Sequence, residues 1–139
     1  TFDEDVIKDL FYLCDDYEKY CKYADNSNFY LEANSIAPYL YSLKQLGKFE
    51  KINKIVKKAE KEILQNIEEI KNDEEYQKNM MEEEILEIIK NEKKRLKNIN
   101  LVSKKILNTD FKPKMEIFMF FENECWLLDC PQHLIIDED

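Results

Sequence analysis

Residue types that build many catalytic sites are scarce in this chain of 139 residues, which has one Gly, one His and one Arg. A Ser/His/Asp or Cys/His nucleophilic pair would have to use His133. That residue lies two positions after Pro131 in a loop, and no neighbour in the sequence is an obvious group to orient it. We therefore predict that the chain is not an enzyme, with no catalytic residue, no cofactor and no small-molecule substrate.

Long apolar runs are also missing. No stretch approaches the roughly 20 apolar residues that a membrane-spanning helix needs, so we expect no membrane partner. No charged-then-apolar leader follows Thr1, and no targeting segment is visible. The missing initiator Met suggests a trimmed fragment or a processed chain.

The charge balance is acidic, with a net charge of -9. A surface with this net charge argues against a protein that binds nucleic acid over its whole area. A local basic patch can still bind nucleic acid. The composition, 44% hydrophobic and 37% charged, is typical of a folded domain with a modest core or of a coiled-coil-rich protein. We predict one helical domain over residues 1–110 and the start of a second α/β domain, truncated or degenerate, over 111–139.

Four cysteines raise the question of a metal site. Cys125, Cys130 and His133 could be three ligands, but their spacing matches no short zinc signature and a fourth ligand would have to come from Cys14 or Cys21. Thiols in a reducing compartment explain them better. Cys14 and Cys21, about 10 Å apart along one helix, are too distant for a disulfide. We predict no metal.

Two long amphipathic patterns organise the chain between Phe49 and Leu107. In each, apolar residues recur in steps of three and four, the spacing of one helical face. In the first arm they are Phe49, Ile52, Val56, Ala59, Ile63, Ile67 and Ile70; in the second they are Met81, Ile85, Ile88, Leu96, Ile99, Val102 and Ile106, with Glu92 interrupting the stripe. A short polar break at 71–73 separates the arms, and Asp73 can cap the second arm. The pattern predicts a mainly α protein, a helical bundle built on a long antiparallel helical hairpin.

Helices are also predicted before the hairpin. Thr1 to Glu4 has the spacing of a capping box, so we expect one helix from there to about Tyr23. Ser35 is a candidate N-cap, with Pro38 in the first turn of the next helix. Gly47 then marks a bend or a brief stop before the first arm.

After Pro113 the pattern changes. The segment Met115 to Phe121 is apolar and aromatic apart from Glu116, and it is bounded by turn residues. That favours a short β segment near the C-terminus, with Leu134 to Ile136 as the candidate partner strand.

Two charged clusters lie on the second arm. Glu82, Glu83, Glu84 and Glu87 invite a metal or acid/base interpretation, but successive helical residues diverge by about 100°, so a solvated face is the better account.

The other cluster is basic: Lys90, Lys93, Lys94, Arg95 and Lys97. Lys90, Lys94 and Lys97 share a face and could contact phosphates. Pairing with Glu87, Glu92 and the acidic residues of the first arm is the alternative.

The order and spacing of these elements resemble the N-terminal region of class I peptide chain release factors, the bacterial and organellar proteins that read stop codons on the ribosome. That family has a Leu-rich turn before a long helix, then a break and a Glu-rich helix of the form Met-x-x-Glu-Glu-Ile, and later a strand reading Leu-Glu-Ile. Here Ser35 to Leu46 leads into the first arm, Asp73 to Tyr76 precedes Met80 to Ile85, and Met115-Glu116-Ile117 follows the second arm.

The resemblance has a sharp departure. In the family the strand runs into a Gly-rich turn, whereas Phe118 to Glu124 contains no Gly. The Gly-Gly-Gln motif that triggers peptide release and the tripeptide that reads the stop codon are absent from these residues.

The resemblance implies a ribosome-docking domain of an organelle-type factor in translation termination. It would be located in a plastid, apicoplast or mitochondrion, with a cytoplasmic location as the alternative. Its partners would be ribosomal RNA and protein, contacted through Lys90, Lys93, Lys94, Arg95 and Lys97. We expect a monomer; the alternative function is a helical-hairpin scaffold or adaptor for protein–protein interaction.

Overall fold

The computed structural model describes residues 4–26 and 33–114. Over these residues the protein is mainly helical, and no strand occurs among them. The helices are α1 (Glu4–Leu13), α2 (Tyr17–Ala24), α3 (Ala33–Gln45), α4 (Phe49–Asn72), α5 (Glu74–Asn79) and α6 (Glu82–Asn108). The predicted capping box at the N-terminus and the predicted β segment near the C-terminus lie outside the described residues.

The single helix predicted up to Tyr23 is wrong, because the chain breaks between α1 and α2. Asp15 has a φ of 60°, in the left-handed region that ends a helix and that Asp tolerates better than most residues. Asp16 then caps α2, its side chain accepting from the backbone N–H of Lys19 at 3.2 Å. The two short helices pack on each other, and α2 packs on α3.

Helix α3 begins earlier than predicted. It starts at Ala33, so Ser35 lies inside the helix and is not its N-cap, and Pro38 lies within the helix rather than in the first turn. The Pro38 carbonyl accepts from the Ser42 hydroxyl at 2.8 Å, which satisfies the polar atom of a fully buried serine.

Gly47 ends α3 as a stop rather than a bend. Its φ is +74°, a conformation that glycine adopts without the steric cost of a Cβ. The Gly47 N–H donates to Lys44 and the Lys48 N–H to Leu43, both at 2.9 Å, which is the Schellman pattern for satisfying the last carbonyls of a helix. A new helix, α4, therefore begins at Phe49.

The predicted apolar stripe of α4 is largely confirmed. Ile52, Ala59, Ile63 and Ile67 are buried, and Val56 and Ile70 are half-buried. Phe49 is the error, since 49% of it is exposed. The stripe packs against α6 and α3.

The break between the two long helices is longer than the polar triplet at 71–73. Asp73 does act as a cap, but its side chain accepts from the Glu75 N–H at 2.9 Å and so starts the short helix α5. The second long helix begins only at Glu82, after an extended Met80 and Met81. Met81, predicted in the stripe, is 68% exposed.

Helix α6 is the centre of the packing, because it contacts α3, α4 and α5. Ile85, Ile99, Val102 and Ile106 are buried as predicted, and Ile89 joins them. Asn98, four residues before Val102 and at the edge of this buried face, is fully buried as well. No helix among the described residues is long and apolar enough to span a membrane.

The segment that follows α6 is fastened to α1 and to the turn after it. The Tyr12 hydroxyl donates to the Pro113 carbonyl, and Lys112 pairs with Asp15 at 2.6 Å. Lys44 donates to the carbonyls of Ile106 (2.6 Å) and Thr109 (2.8 Å) at the end of α6. These contacts join the last described residues to elements roughly 60 to 100 positions earlier in the chain.

Candidate nucleic-acid interface

The predicted basic cluster lies in the middle of α6, and four of its five members are exposed: Lys90, Lys93, Lys94 and Lys97. Since α-helical residues turn by about 100° each, Lys90 and Lys97 project within about 20° of one another. No ion pair joins these four lysines to an acidic residue in the described part of the chain. For these four lysines, the alternative of pairing with Glu87, Glu92 or acidic residues of the first arm therefore finds no support there.

Arg95, the fifth member, does not share this exposure. Its side chain is 22% exposed and its guanidinium lies 3.3 Å from Oε1 of Glu92, whose side chain is 12% exposed. Glu92 is the residue that interrupts the apolar stripe, and its Oε2 is buried without a hydrogen-bond partner in the described structure. Arg95 is thus placed to neutralise a nearly buried carboxylate rather than to reach a ligand on the lysine side.

A structural explanation for the lysines is also available. The first turn of α6 holds Glu82, Glu83 and Glu84, and the basic residues follow from Lys90 onward. This order places negative charge at the positive end of the helix dipole and positive charge toward the negative end. The favourable effect falls off within the first and last turns, however, so it does not account for lysines in the middle of the helix.

Charge is strongly segregated along α4, α5 and α6. Residues 51–61 carry five Lys and one Glu, residues 62–87 carry ten acidic residues and two Lys, and residues 88–109 carry seven basic residues and one Glu. The overall acidity of the chain conceals two basic stretches, and these lie on helices that pack on each other. The first stretch, on α4, was not among the predicted contact residues, although the distribution of charge in the sequence contains it.

The exposed surface of α6 combines lysines with apolar side chains. We define the outer face of α6 as Leu86, Lys90, Lys94, Lys97, Leu101 and Lys104, which are all exposed. Leu86 is 59% exposed and Leu101 is 38% exposed. A helical face of this kind offers both positive charge and apolar area to a partner.

The glutamates of the other cluster do not converge. Glu82, Glu83, Glu84 and Glu87 are all exposed, as a solvated face requires. Within the described residues no group of His, Cys, Asp and Glu side chains could hold a metal ion. The candidate ligands Cys125, Cys130 and His133 lie outside those residues.

The two described cysteines are free thiols, one exposed (Cys14) and one buried (Cys21). Burial, together with the negative charge of Asp25, raises the pKa of Cys21 to about 11. Cys21 is therefore protonated at neutral pH and is a poor nucleophile.

A polar cluster away from α6 joins three helical elements. Asp25, after α2, pairs with Lys51 of α4 at 2.7 Å and accepts from the hydroxyl of Tyr39 on α3. Burial alone would raise the pKa of Asp25, but the hydrogen bonds from Lys51 and Tyr39 outweigh it and the pKa is lowered. Each group has a structural partner, so this cluster is a fastening between helices.

Comparison with protein families, with curated proteins and with solved structures finds no match to this chain.

Proposed function

We propose that this chain is a docking domain that binds the ribosome through the outer face of α6, as the N-terminal helical domain of an organelle-type peptide chain release factor would. The observation that carries the proposal is the exposure of Lys90, Lys93, Lys94 and Lys97 on a helix whose opposite face is buried. Lysines on a rigid helix present a row of positive charge to RNA phosphates. The release-factor assignment itself depends on the order and spacing of sequence elements.

An antiparallel hairpin of α4 and α6 forms part of the proposal. Lys44, five residues before α4 begins, donates to carbonyls at the far end of α6. The other ends of the two helices are joined by only nine residues, 73–81. Both facts support helices that run in opposite directions along the contact between them.

This orientation would enlarge the basic surface. In antiparallel helices of these lengths, Lys57 and Lys61 of α4 lie at the level of Lys97 and Lys94 of α6. Both α4 lysines are exposed. Packed helices are about 8–10 Å apart, so two rows of lysines would lie close enough to contact one stretch of RNA.

Co-sedimentation with ribosomes at low salt tests the proposal. We expect replacement of Lys90, Lys94 and Lys97 by glutamine to weaken ribosome association, because the RNA phosphates then lack their cationic partners. The domain should stay folded, because the buried face of α6 is unchanged. A matched control replaces Lys22, Lys71 and Lys78, which are exposed on α2, at the end of α4 and on α5. Equal co-sedimentation of the lysine variant and the control would refute the assignment.

A helical scaffold is the second candidate, and one observation favours it. Phe49, Leu64, Leu86 and Leu101 are large apolar residues that remain 38–59% exposed on α4 and α6. Large apolar side chains left exposed on packed helices are candidate anchors for a protein partner. A monodisperse monomer that binds ribosomes would favour docking, whereas self-association without ribosome binding would favour the scaffold.

A further inference from the structure

The outer face of α6 has unusual chemistry for a surface left in water. Its two leucines are exposed and lie 15 positions apart, which is about 22 Å along the helix. Between and beyond them are lysines without an acidic partner among the described residues. An occupant that matches this face needs apolar side chains at two or more points and negative charge between them.

Residues 115–139 of the same chain have that chemistry. They contain seven acidic residues and no Lys or Arg, and twelve of them are Met, Ile, Leu, Phe or Trp. No other stretch of this length in the sequence is both acidic and free of basic residues. Its charge is opposite to that of the outer face, and complementary charge favours both encounter and correct register.

The connection point brings the two together. Lys112 and Pro113 are held to Asp15 and Tyr12, and only six residues, 109–114, separate the end of α6 from the segment. Twenty-five residues can reach about 80 Å when extended, whereas the outer face from Leu86 to Lys104 is about 27 Å long. A tethered segment also has an effective concentration of the order of mM, enough for a modest charged and apolar contact to form.

We propose that residues 115–139 dock on the outer face of α6 of the same chain, with their acidic side chains on the lysines and their apolar side chains on Leu86 and Leu101. The docking covers the surface that the proposed function assigns to the ribosome. The segment would then compete with ribosomal RNA for this surface and lower the affinity of the chain for the ribosome. Only this regulatory consequence rests on the proposed function; the docking itself does not.

Trp126, the one Trp of the chain, reports on the docking in the full chain. The test variant reverses charge at Lys90, Lys97 and Lys104 to Glu. We expect its Trp126 emission to shift to the red and its quenching by acrylamide to increase, because the segment leaves the face for water. Circular dichroism checks that the helix content is kept. The control variant, Lys22→Glu with Lys71→Glu and Lys78→Glu, has the same change in net charge on other surfaces, and its Trp126 signal should match that of the original chain.

A charge swap separates a direct contact from a general effect. Adding Glu122→Lys, Glu124→Lys and Asp129→Lys to the test variant restores attraction with the signs exchanged, so it should restore the protection of Trp126. Equal Trp126 signals in test and control variants, or a swap that restores nothing, would overturn the proposal. Protection that increases with protein concentration would overturn it too, since the occupant would then belong to a second copy. Ribosomes are absent from all of these measurements, so their outcome is independent of whether the chain binds them.

Discussion

Arg95 and Lys94 are neighbours in the sequence, and the structure predicts opposite consequences for their replacement by glutamine. Arg95 lies 3.3 Å from Glu92 with both side chains mostly buried. Without the guanidinium, a carboxylate that is 88% buried loses its partner, and leaving such a group unsatisfied costs about 1–3 kcal/mol, with charged groups at the upper end. Lys94 is exposed, so its replacement should change the free energy of unfolding by less than about 0.5 kcal/mol.

Urea unfolding followed by circular dichroism measures both free energies. Arg95→Gln should lower the midpoint by the equivalent of about 1–3 kcal/mol, and ribosome co-sedimentation of the folded variant should be nearly unchanged. Lys94→Gln should keep the midpoint and weaken co-sedimentation. A third variant, Glu92→Gln with Arg95→Gln, removes the buried charge and should regain part of the missing stability. The reasoning fails if Arg95→Gln unfolds at the original urea concentration, or if it impairs ribosome association as much as Lys94→Gln does.

Three further predictions concern the fold. Gly47→Ala should destabilise the protein by about 1–2 kcal/mol. This cost comes from the left-handed backbone alone, since an added Cβ meets nothing within 4 Å. Gly47→Asn should cost less in the same urea assay, and an Ala variant of unchanged stability would contradict the Schellman turn. Ile99→Ala should cost about 2–5 kcal/mol since Ile99 is fully buried, whereas Leu101→Ala, at a position 38% exposed, should cost far less; similar costs would contradict the burial of α6. Burial raises the pKa values of Tyr12 and Tyr20 above the ordinary 10.0. Their contribution to the free energy of unfolding is therefore complete below about pH 10 and is lost as the pH rises further. In an alkaline titration, tyrosinate absorbance should increase together with loss of helix, and ionisation of both tyrosines within an intact helical fold would refute this prediction.

The apolar faces of the long helices could be predicted from sequence because they depend on local spacing. Ile52, Ile63 and Ile67 are buried where a 3.6-residue period places them. The errors are at helix ends, such as Phe49 and Met81, where the period continues but no neighbouring helix covers the side chain. Periodicity shows which residues share a face and not how far along the helix the partner extends.

The break after α1 depends partly on residues next to it in the sequence and partly on a residue far away in the chain. Asp16 has the chemistry of an N-cap and is readable from the sequence. The left-handed Asp15, by contrast, is held by Lys112, 97 positions away in the chain. That contact also lowers the pKa of Asp15. No pattern within the first 25 residues contains it.

The basic cluster of α6 could be read from the sequence, but the pairing of Arg95 with Glu92 could not; contact of the lysines with RNA stays a prediction. The sequence locates a basic cluster on a helix but does not tell which of its members turns inward. Glu92, an acidic residue within the apolar stripe, was the signal that a basic partner would be needed nearby. Arg95, three positions later, lies on the side of the helix that can reach it.

The dependence of ribosome affinity on salt tests the central claim most directly. Each lysine–phosphate pair that a substitution removes should reduce the slope of log affinity against log salt by about 0.7–0.9. If Lys90, Lys94 and Lys97 bind RNA, their combined replacement by glutamine lowers that slope by about 2–3, while the control at Lys22, Lys71 and Lys78 leaves it unchanged. The same slope in both variants and in the original chain would contradict the assignment of α6 as the ribosome-binding surface.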